Sequence, residues 1–395
     1  MPQMQASSPA AALPSPAAAR PSRAWHRAVR AQFAVLGLAM GAWGAQVPAI
    51  KQRYALDEGE LSIALLAAAV GAVLCLLSAG ALVARFGVRR CVRAAGLVVC
   101  VAQGVALQFE SYGVLLALML LVGAGSALFD VSINADGNHL EARGGRKLMS
   151  GLHAMVSLGG MAGALLVSGL FRLGVAAPLQ LAGVALGLVL VLVAAAGAMS
   201  DERADSDEQP APIAWPRGVL LWMGVLTTLG MLAEGAMYNW SALYVHQELR
   251  TDAAFGALGF AAFSAAMALG RLGGDAVRER VAAVPLLRAS GALGAAGMAL
   301  ALLGGTPAAA LAGFVLVGFG FANVVPVLFA AAGQVGGVAP AQGVAAVSSV
   351  GYLGFMIGPA LIGALARAAS LSAALWTVAV FAALLALAAR RVLKG

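Results

Sequence analysis

From residue 28 onward the chain alternates long apolar runs with short polar turns, and the runs show no strand-like alternation. Twelve runs are delimited: 28–50, 61–84, 92–109, 112–136, 148–171, 177–199, 218–246, 253–274, 284–303, 307–333, 341–366 and 371–390. Each suits a helix crossing about 30 Å of hydrocarbon. The pattern predicts an all-α membrane protein of twelve transmembrane helices. Two segments break it. Residues 1–27, rich in Ala, Pro and Ser up to position 23 and lacking the apolar core of a signal peptide, are expected to form a disordered cytoplasmic tail. Residues 200–217, "SDERADSDEQPAPIAWPR", form the one long polar interruption, expected to be a cytoplasmic linker between bundles at 28–199 and 218–395.

Composition supports a bilayer environment: of 395 residues, 61% are hydrophobic, 11% are charged and 50 are glycine. The net charge of +8 does not point to nucleic acid, because the basic residues lie in turns between apolar runs. With a cytoplasmic N-terminus, 20 of the 25 Lys and Arg fall on the inner side, leaving Lys51, Arg53, Arg172, Arg250 and Arg367 outside. An even number of crossings puts both termini inside, and a multi-pass protein of a bacterial inner membrane is expected. Cys75, Cys91 and Cys100 have neither CxxC spacing nor a nearby His cluster, and are read as packing residues.

The halves repeat one another. "SLGGMAGALLVSGLFR" (157–172) matches "YLGFMIGPALIGALAR" (352–367) at an offset of 195, and "GAG" (123–125) matches "GFG" (318–320) at the same offset. Trp43 is paired with Trp240 at 197 and Gly80 with Gly270 at 190. Two six-helix bundles joined by a linker resemble the major facilitator superfamily. The loop "GALVARFGVRR" (80–90) is similar to the family's element between helices two and three: Gly80, Leu82, Arg85, Gly87, Arg89 and Arg90 fit, whereas Ala84 replaces the usual acid. The repeat "GRLGGDAVRER" (270–280) keeps an acid at Asp275. The resemblance implies a secondary carrier whose halves rock about a central site, with these loop residues acting as a gate.

Charge inside the apolar runs marks candidate chemistry, because an ionised group at mid-membrane costs about 2.5–3.5 kcal/mol. Asp130 in the fourth run and Glu234 in the seventh qualify, and no Lys or Arg is expected at their depth. A carboxyl group buried without a cation can take up and release a proton, so both are candidate proton-coupling sites; an acid that never exchanges is the structural alternative. Asn134 shares the helical face of Asp130. "DVSIN" (130–134) resembles the acid-x-x-x-Asn element of the fucose/proton symporter group, which implies that Asp130 is protonated during transport and that its polar neighbours touch solute. That group's acid in helix one is absent; Gln46 lies in that helix instead.

Other candidate solute contacts are Trp43 with Gln46, His153, the run Tyr238, Asn239 and Trp240, and then Asn323 and Tyr352. Amides and aromatic rings suit a neutral, hydroxyl-bearing solute such as a sugar; each residue singly could instead be packing or interhelical glue. His153 could also relay protons from Asp136 or Asp130. Glycines four apart (Gly159 with Gly163, Gly354 with Gly358) and Pro48, Pro326 and Pro359 suit helices that pack closely, slide and bend.

No Ser/His/Asp constellation, metal-ligand spacing or phosphate loop emerges, so neither an enzyme nor a cofactor or metal site is expected. The reading is proton-coupled import of a sugar-like or other small polar solute by a monomer in the bilayer. Proton-driven efflux of a hydrophobic or drug-like compound is the alternative, with a non-transporting sensor behind it. Carboxylated solutes are disfavoured by the expected lack of a mid-membrane cation.

Overall fold

The protein is described here by a computed structural model covering residues 21–145, 148–199 and 216–394. Residues 1–20 of the expected tail and 200–215 of the expected linker lie outside them, as do Arg146 and Lys147. Among the described residues there is no strand. Among the same residues twelve helical spans are long and apolar enough to cross a membrane. The first half holds α1 (Arg23–Arg53), α2 (Glu58–Phe86), α3 (Val88–Val105), α4 (Tyr112–Gly144), α5 (Met149–Arg172) and α6 (Ala177–Ala196). The second holds α7 (Val219–Gln247), α8 (Ala253–Leu272), the short α9 (Gly274–Arg280), α10 (Ala283–Leu303), α11 (Pro307–Phe321), α12 (Val324–Ala332), α13 (Pro340–Ala368) and α14 (Leu371–Lys394).

Three boundaries differ from expectation, one of them in α4, which continues to Gly144 instead of ending at residue 136. Helix α1 begins at Arg23 rather than residue 28, because Ser22 caps it by accepting the Trp25 amide at 3.1 Å. The tenth span is broken into α11 and α12, with Asn323 between them. Pro326 lacks the N–H that would bond the Ala322 carbonyl, so the ladder is cut there.

Helix packing reproduces the duplication. In the first half α1 packs on α5 and α6, α4 on α2 and α3, and α3 on α6; in the second, α7 packs on α13 and α14, α11 on α8 and α10, and α10 on α14. Glycine contacts fix the register. A Cβ at Gly159 would lie 2.4 Å from the Ala34 carbonyl oxygen, and one at Gly354 would lie 2.3 Å from that of Thr228. These glycines are 195 residues apart and their partners 194, so α5 on α1 and α13 on α7 are the same contact made twice. Likewise Gly123 abuts Ala68 and Gly318 abuts Phe263, with both members shifted by 195. Backbone against backbone at this distance admits only glycine, which is how close crossings form without a hydrophobic drive between helices.

That register corrects two of the matches expected from sequence. In α1 and α7 an offset of 194 places Trp240 opposite Gln46, not Trp43. In α2 and α8 the offset of 195 separates Gly80 from Gly270.

Between the halves, α5 packs along α8 and α2 along α13, contacts that the duplication interchanges, while α1 meets α7 and α8 at the centre. Outward faces carry exposed apolar side chains such as Leu77, Leu173, Leu303 and Leu387, a surface suited to lipid.

Candidate functional site

The halves are sealed at the end opposite the termini. There the Lys51 ammonium pairs with Glu58 of its own half and donates to Gln247 Oε1 of the other at 3.1 Å. Arg367 Nη2 lies 3.6 Å from Asp57 Oδ2, the same Asp57 whose other oxygen caps α2. Ser168 Oγ donates to the Ala254 carbonyl at 2.7 Å, joining α5 to α8. Gly59 faces the Arg367 side chain and Gly363 faces the Ser62 side chain, so each glycine makes room for a side chain of the facing helix and α2 and α13 pack closely. Deeper in, the Phe260 ring of α8 fills the crossing, close against Gly44 of α1 and Gly160 of α5.

At the terminus-bearing end the described cross-half bond is longer: Ser150 Oγ to Asp275 Oδ1 at 3.4 Å. Helices α4, α11 and α12 make their extensive contacts within their own halves. The result is a cleft between halves, closed at the far end. Tyr352 on α13 is 48% exposed although it lies among protein atoms, within electrostatic reach of both Asp130 and Glu234. His153 on α5 is exposed too, its ring edge-on to Phe33 at 5.6 Å and within reach of the Arg271 charge.

Two polar clusters face this region. On α4, Asn134 Nδ2 donates to Asp130 Oδ1 at 3.0 Å and to its carbonyl at 2.9 Å, so acid and amide share a face. Among the described residues Asp130 Oδ2 has no protein donor, and it is not among the buried orphaned atoms. On α7, Glu234 Oε1 accepts Tyr238 OH at 3.1 Å and Arg271 Nη2 at 2.8 Å. Arg271 Nη1 donates in turn to Ser157 Oγ of α5 at 3.0 Å. The Tyr238 ring is wedged against Phe260 and Phe263, with centroids 5.4 and 5.2 Å away.

The Glu234 pair overturns the expectation that no cation reaches mid-depth. Arg271 sits at the last turn of α8, where residue counting assigns it to the adjoining turn. Helical side chains lean toward their helix N-terminus, here the sealed end, and the long arginine stem brings the guanidinium back to Glu234. The pair is internally neutral, so the unbalanced formal charge of the two clusters is the Asp130 carboxylate.

Several residues expected at the solute are engaged by other parts of the protein. Gln46 is fully buried and donates to Gln180 Oε1 of α6 at 2.8 Å, while Gln180 donates to the Val175 carbonyl. Trp240 is also 0% exposed, consistent with its being the counterpart of Gln46. Asn323 is buried at the α11–α12 break, its amide 3.4 Å from the Gly270 carbonyl and its oxygen close to Gly274. Trp43 is buried, and Asn239 donates back to the Gly235 carbonyl at 2.8 Å. Asp136 is turned to α1 and accepts Trp25 Nε1 at 3.1 Å, on a different face from Asp130. A separate pocket at the far end, about 390 Å³ in volume and lined by Pro48, Gln52, Phe171 and His246 among others, contains none of the expected solute residues.

In the expected gating loop, Gly87 makes the α2–α3 turn at φ +83°, a backbone region that favours glycine. Arg89 donates to the Met199 carbonyl at 2.7 Å, and the Arg85 guanidinium lies 5.3 Å from the Phe86 ring centroid. A Cβ at Gly80 would meet nothing within 4 Å, and Arg90 is exposed. Asp275 pairs with Arg278 besides its contact with Ser150. Among the described residues no group of three or more His, Cys, Asp or Glu could hold a metal ion.

The Major Facilitator Superfamily profile matches residues 31–339, and the chain belongs to that family. It is a multi-pass membrane transporter of a small solute. It is 34% identical over 368 residues to an uncharacterized MFS-type transporter of Yersinia pestis, covering 92% of this chain and 95% of the relative. With the membrane protein MosC of Rhizobium meliloti it shares 33% identity over 352 residues, 88% of this chain and 85% of that one. Among solved structures it superposes on the nucleoside transporter NupG with a TM-score of 0.72 at 13% identity, covering 94% of this chain and 98% of that one. The fucose:proton symporter FucP of E. coli gives a TM-score of 0.61 at 16% identity, over 93% of this chain and 98% of that one. These two likenesses show the shared fold.

Proposed function

We propose that the protein imports a sugar-like or other small polar solute together with protons across a bacterial inner membrane, with both termini in the cytoplasm. The observation that carries this reading is Asp130: a carboxylate in a transmembrane helix, beside the cleft, with one oxygen held by Asn134 and the other without a protein donor among the described residues. Such a group can take a proton in one arrangement of the halves and release it in another. Tyr352, His153 and the Tyr238–Glu234 pair supply hydroxyl, imidazole and ring surfaces to the same region. The concentration of arginines at the terminus-bearing end supports the orientation, which makes the cleft open to the cytoplasm.

The test is proton movement. Proteoliposomes with an external pH dye and no imposed gradient receive a panel of sugars, polyols and cationic dyes. External alkalinisation on downhill entry of one solute, absent in Asp130→Asn, is the expected result. Solute flux without proton movement, unchanged in the variant, contradicts proton coupling and leaves a uniporter.

A further inference from the structure

The guanidinium of Arg271 spans the two halves at mid-depth. One nitrogen binds Glu234 of its own half at 2.8 Å, and the other binds Ser157 of the opposite half at 3.0 Å. Both ends are shielded: Ser157 is buried, and the Arg271 and Glu234 side chains are 18% and 12% exposed. At the same depth Tyr238 of α7 also reaches the Ser157 hydroxyl, and the remaining described polar links between halves lie toward the two membrane faces: Lys51–Gln247, Arg367–Asp57 and Ser168–Ala254 at the sealed end, and Ser150–Asp275 at the other.

We propose that Arg271 is a positioning residue that ties the charge on Glu234 to the α5–α8 seam, so that neutralising Glu234 releases the seam and favours opening at the sealed end. The physical reason is the cost of a buried cation. While Glu234 is charged, the arginine fork is fixed by its carboxylate and the second nitrogen is delivered to Ser157. When Glu234 takes a proton, the guanidinium loses its counter-charge in a place where an unpaired charge is strongly disfavoured. The adjacent wet cleft offers an escape, and a swing of the side chain toward it withdraws Nη1 from Ser157. Helix α5 then loses its polar tie to α8 where the halves slide.

The titratable groups around the pair are Tyr238 on α7, His153 one turn before Ser157 on α5, Tyr352 on α13 and Asp130 on α4. Helices α1, α11 and α12 bring no charged side chain to this depth, and the charges of α14 are confined to its terminal turns. Asp130 is the alternative source of any pH response, so the test fixes the charge of Glu234 by substitution rather than by pH. The inference rests on the alternating-access reading of the cleft and not on proton coupling by Asp130.

The experiment is electron–electron distance measurement on the full chain, with Cys75, Cys91 and Cys100 replaced by serine. One spin-label pair spans the terminus-bearing end at Ala142 and Ala276, and another spans the sealed end at Ser111 and Ala308; all four positions are exposed. Glu234→Gln is expected to raise the ratio of far-end-open to far-end-closed populations by about tenfold, within the range of ordinary conformational coupling. Ser157→Ala is expected to shift it in the same direction. The double variant is expected to equal the larger single effect, because both act through one guanidinium. Arg271→Lys, which keeps the charge but not the fork, is expected to behave as Ser157→Ala.

Wild-type distance distributions in folded Glu234→Gln and Ser157→Ala overturn the inference, as does strict additivity of the two. If Arg271→Lys fails to fold, the Glu234–Ser157 cycle still decides. Proton movement by wild-type proteoliposomes, measured in parallel, separates the two proposals. A shifted population without proton uptake keeps the seam device and removes proton coupling; proton uptake with an unshifted population does the reverse.

Discussion

Replacing Gly363 by valine should unlock the sealed end. A Cβ at Gly363 would lie 2.1 Å from Ser62 Cβ and 2.9 Å from the Glu58 carbonyl oxygen. Carbon atoms rest at about 3.5–4.0 Å, so the last turns of α13 and the first turns of α2 must separate by roughly 1.5 Å to admit even the first added carbon. Overpacking of this kind costs about 1–3 kcal/mol, which corresponds to roughly a 5- to 140-fold shift between conformations. The strain falls on the far-end-closed arrangement alone, because this contact joins the halves and opening relieves it. The same parting pulls Arg367 from Asp57, since Gly59 meets the Arg367 side chain one turn away. The assay is labelling of Tyr352→Cys, in a background without the three native cysteines, by an impermeant maleimide supplied on the side opposite the termini. Labelling should be slow with Gly363 in place and accelerate at least fivefold with valine, within the same estimated range. Gly187→Val, where a Cβ would meet nothing within 4 Å, serves as control and should leave it unchanged. Unchanged far-side labelling in a folded Gly363→Val protein would refute the assignment of this contact as the seal.

Other substitutions test other parts of the account. Gln46→Ala leaves the buried Gln180 oxygen without its donor and should cost about 1–3 kcal/mol, seen as a lower melting midpoint in detergent, while solute affinity is retained; lost affinity at unchanged stability would put Gln46 back at the solute. Gly41→Val aims a side chain at the Gly160 carbonyl, 2.0 Å from where its Cβ would sit, and should deplete folded protein from the membrane, whereas Gly151→Ala, with open space around it, should be neutral; equal yields of the two would contradict the α1–α5 packing. Arg367→Ala removes the ion pair with Asp57 and should raise far-side labelling less than Gly363→Val does, because the pair is long and both partners are largely exposed; a larger effect would make charge rather than contact the principal seal.

The twelve spans are readable in the sequence because hydrocarbon demands unbroken apolar length, and nine of the expected runs lie within a few residues of the helices found, while the fourth helix runs two turns past its expected end into polar sequence. The first begins early because a single serine hydroxyl at Ser22 extends it by capping, and the tenth breaks beside Pro326. The repeat at 195 is readable in Gly123, Gly159, Gly318 and Gly354, because close backbone contact tolerates no other residue and so preserves identity. Pairs chosen for residue identity alone fail: Trp43 and Trp240 lie at different levels of α1 and α7, since a side chain facing its own half can change type freely.

Within the candidate site, the Asp130–Asn134 face follows from helical spacing and is found as expected. Arg271 is hidden from a linear reading because its Cα lies at a helix end while its charge acts a turn or more away. The signal available in sequence is that Glu234 and Arg271 are opposite charges on consecutive spans, each inside its apolar run. Gln46 shows the converse limit, because side-chain type says nothing about which face of α1 it occupies; Gln180 on α6 decides that.

The role of Asp130 in coupling is tested by comparing two transport modes in one Asp130→Asn protein. Solute counterflow between loaded and unloaded proteoliposomes requires only binding and alternating access, whereas accumulation under an imposed proton gradient requires the acid. Asp130→Asn is expected to retain counterflow and to lose gradient-driven accumulation. Accumulation at the wild-type level in that variant would contradict that role.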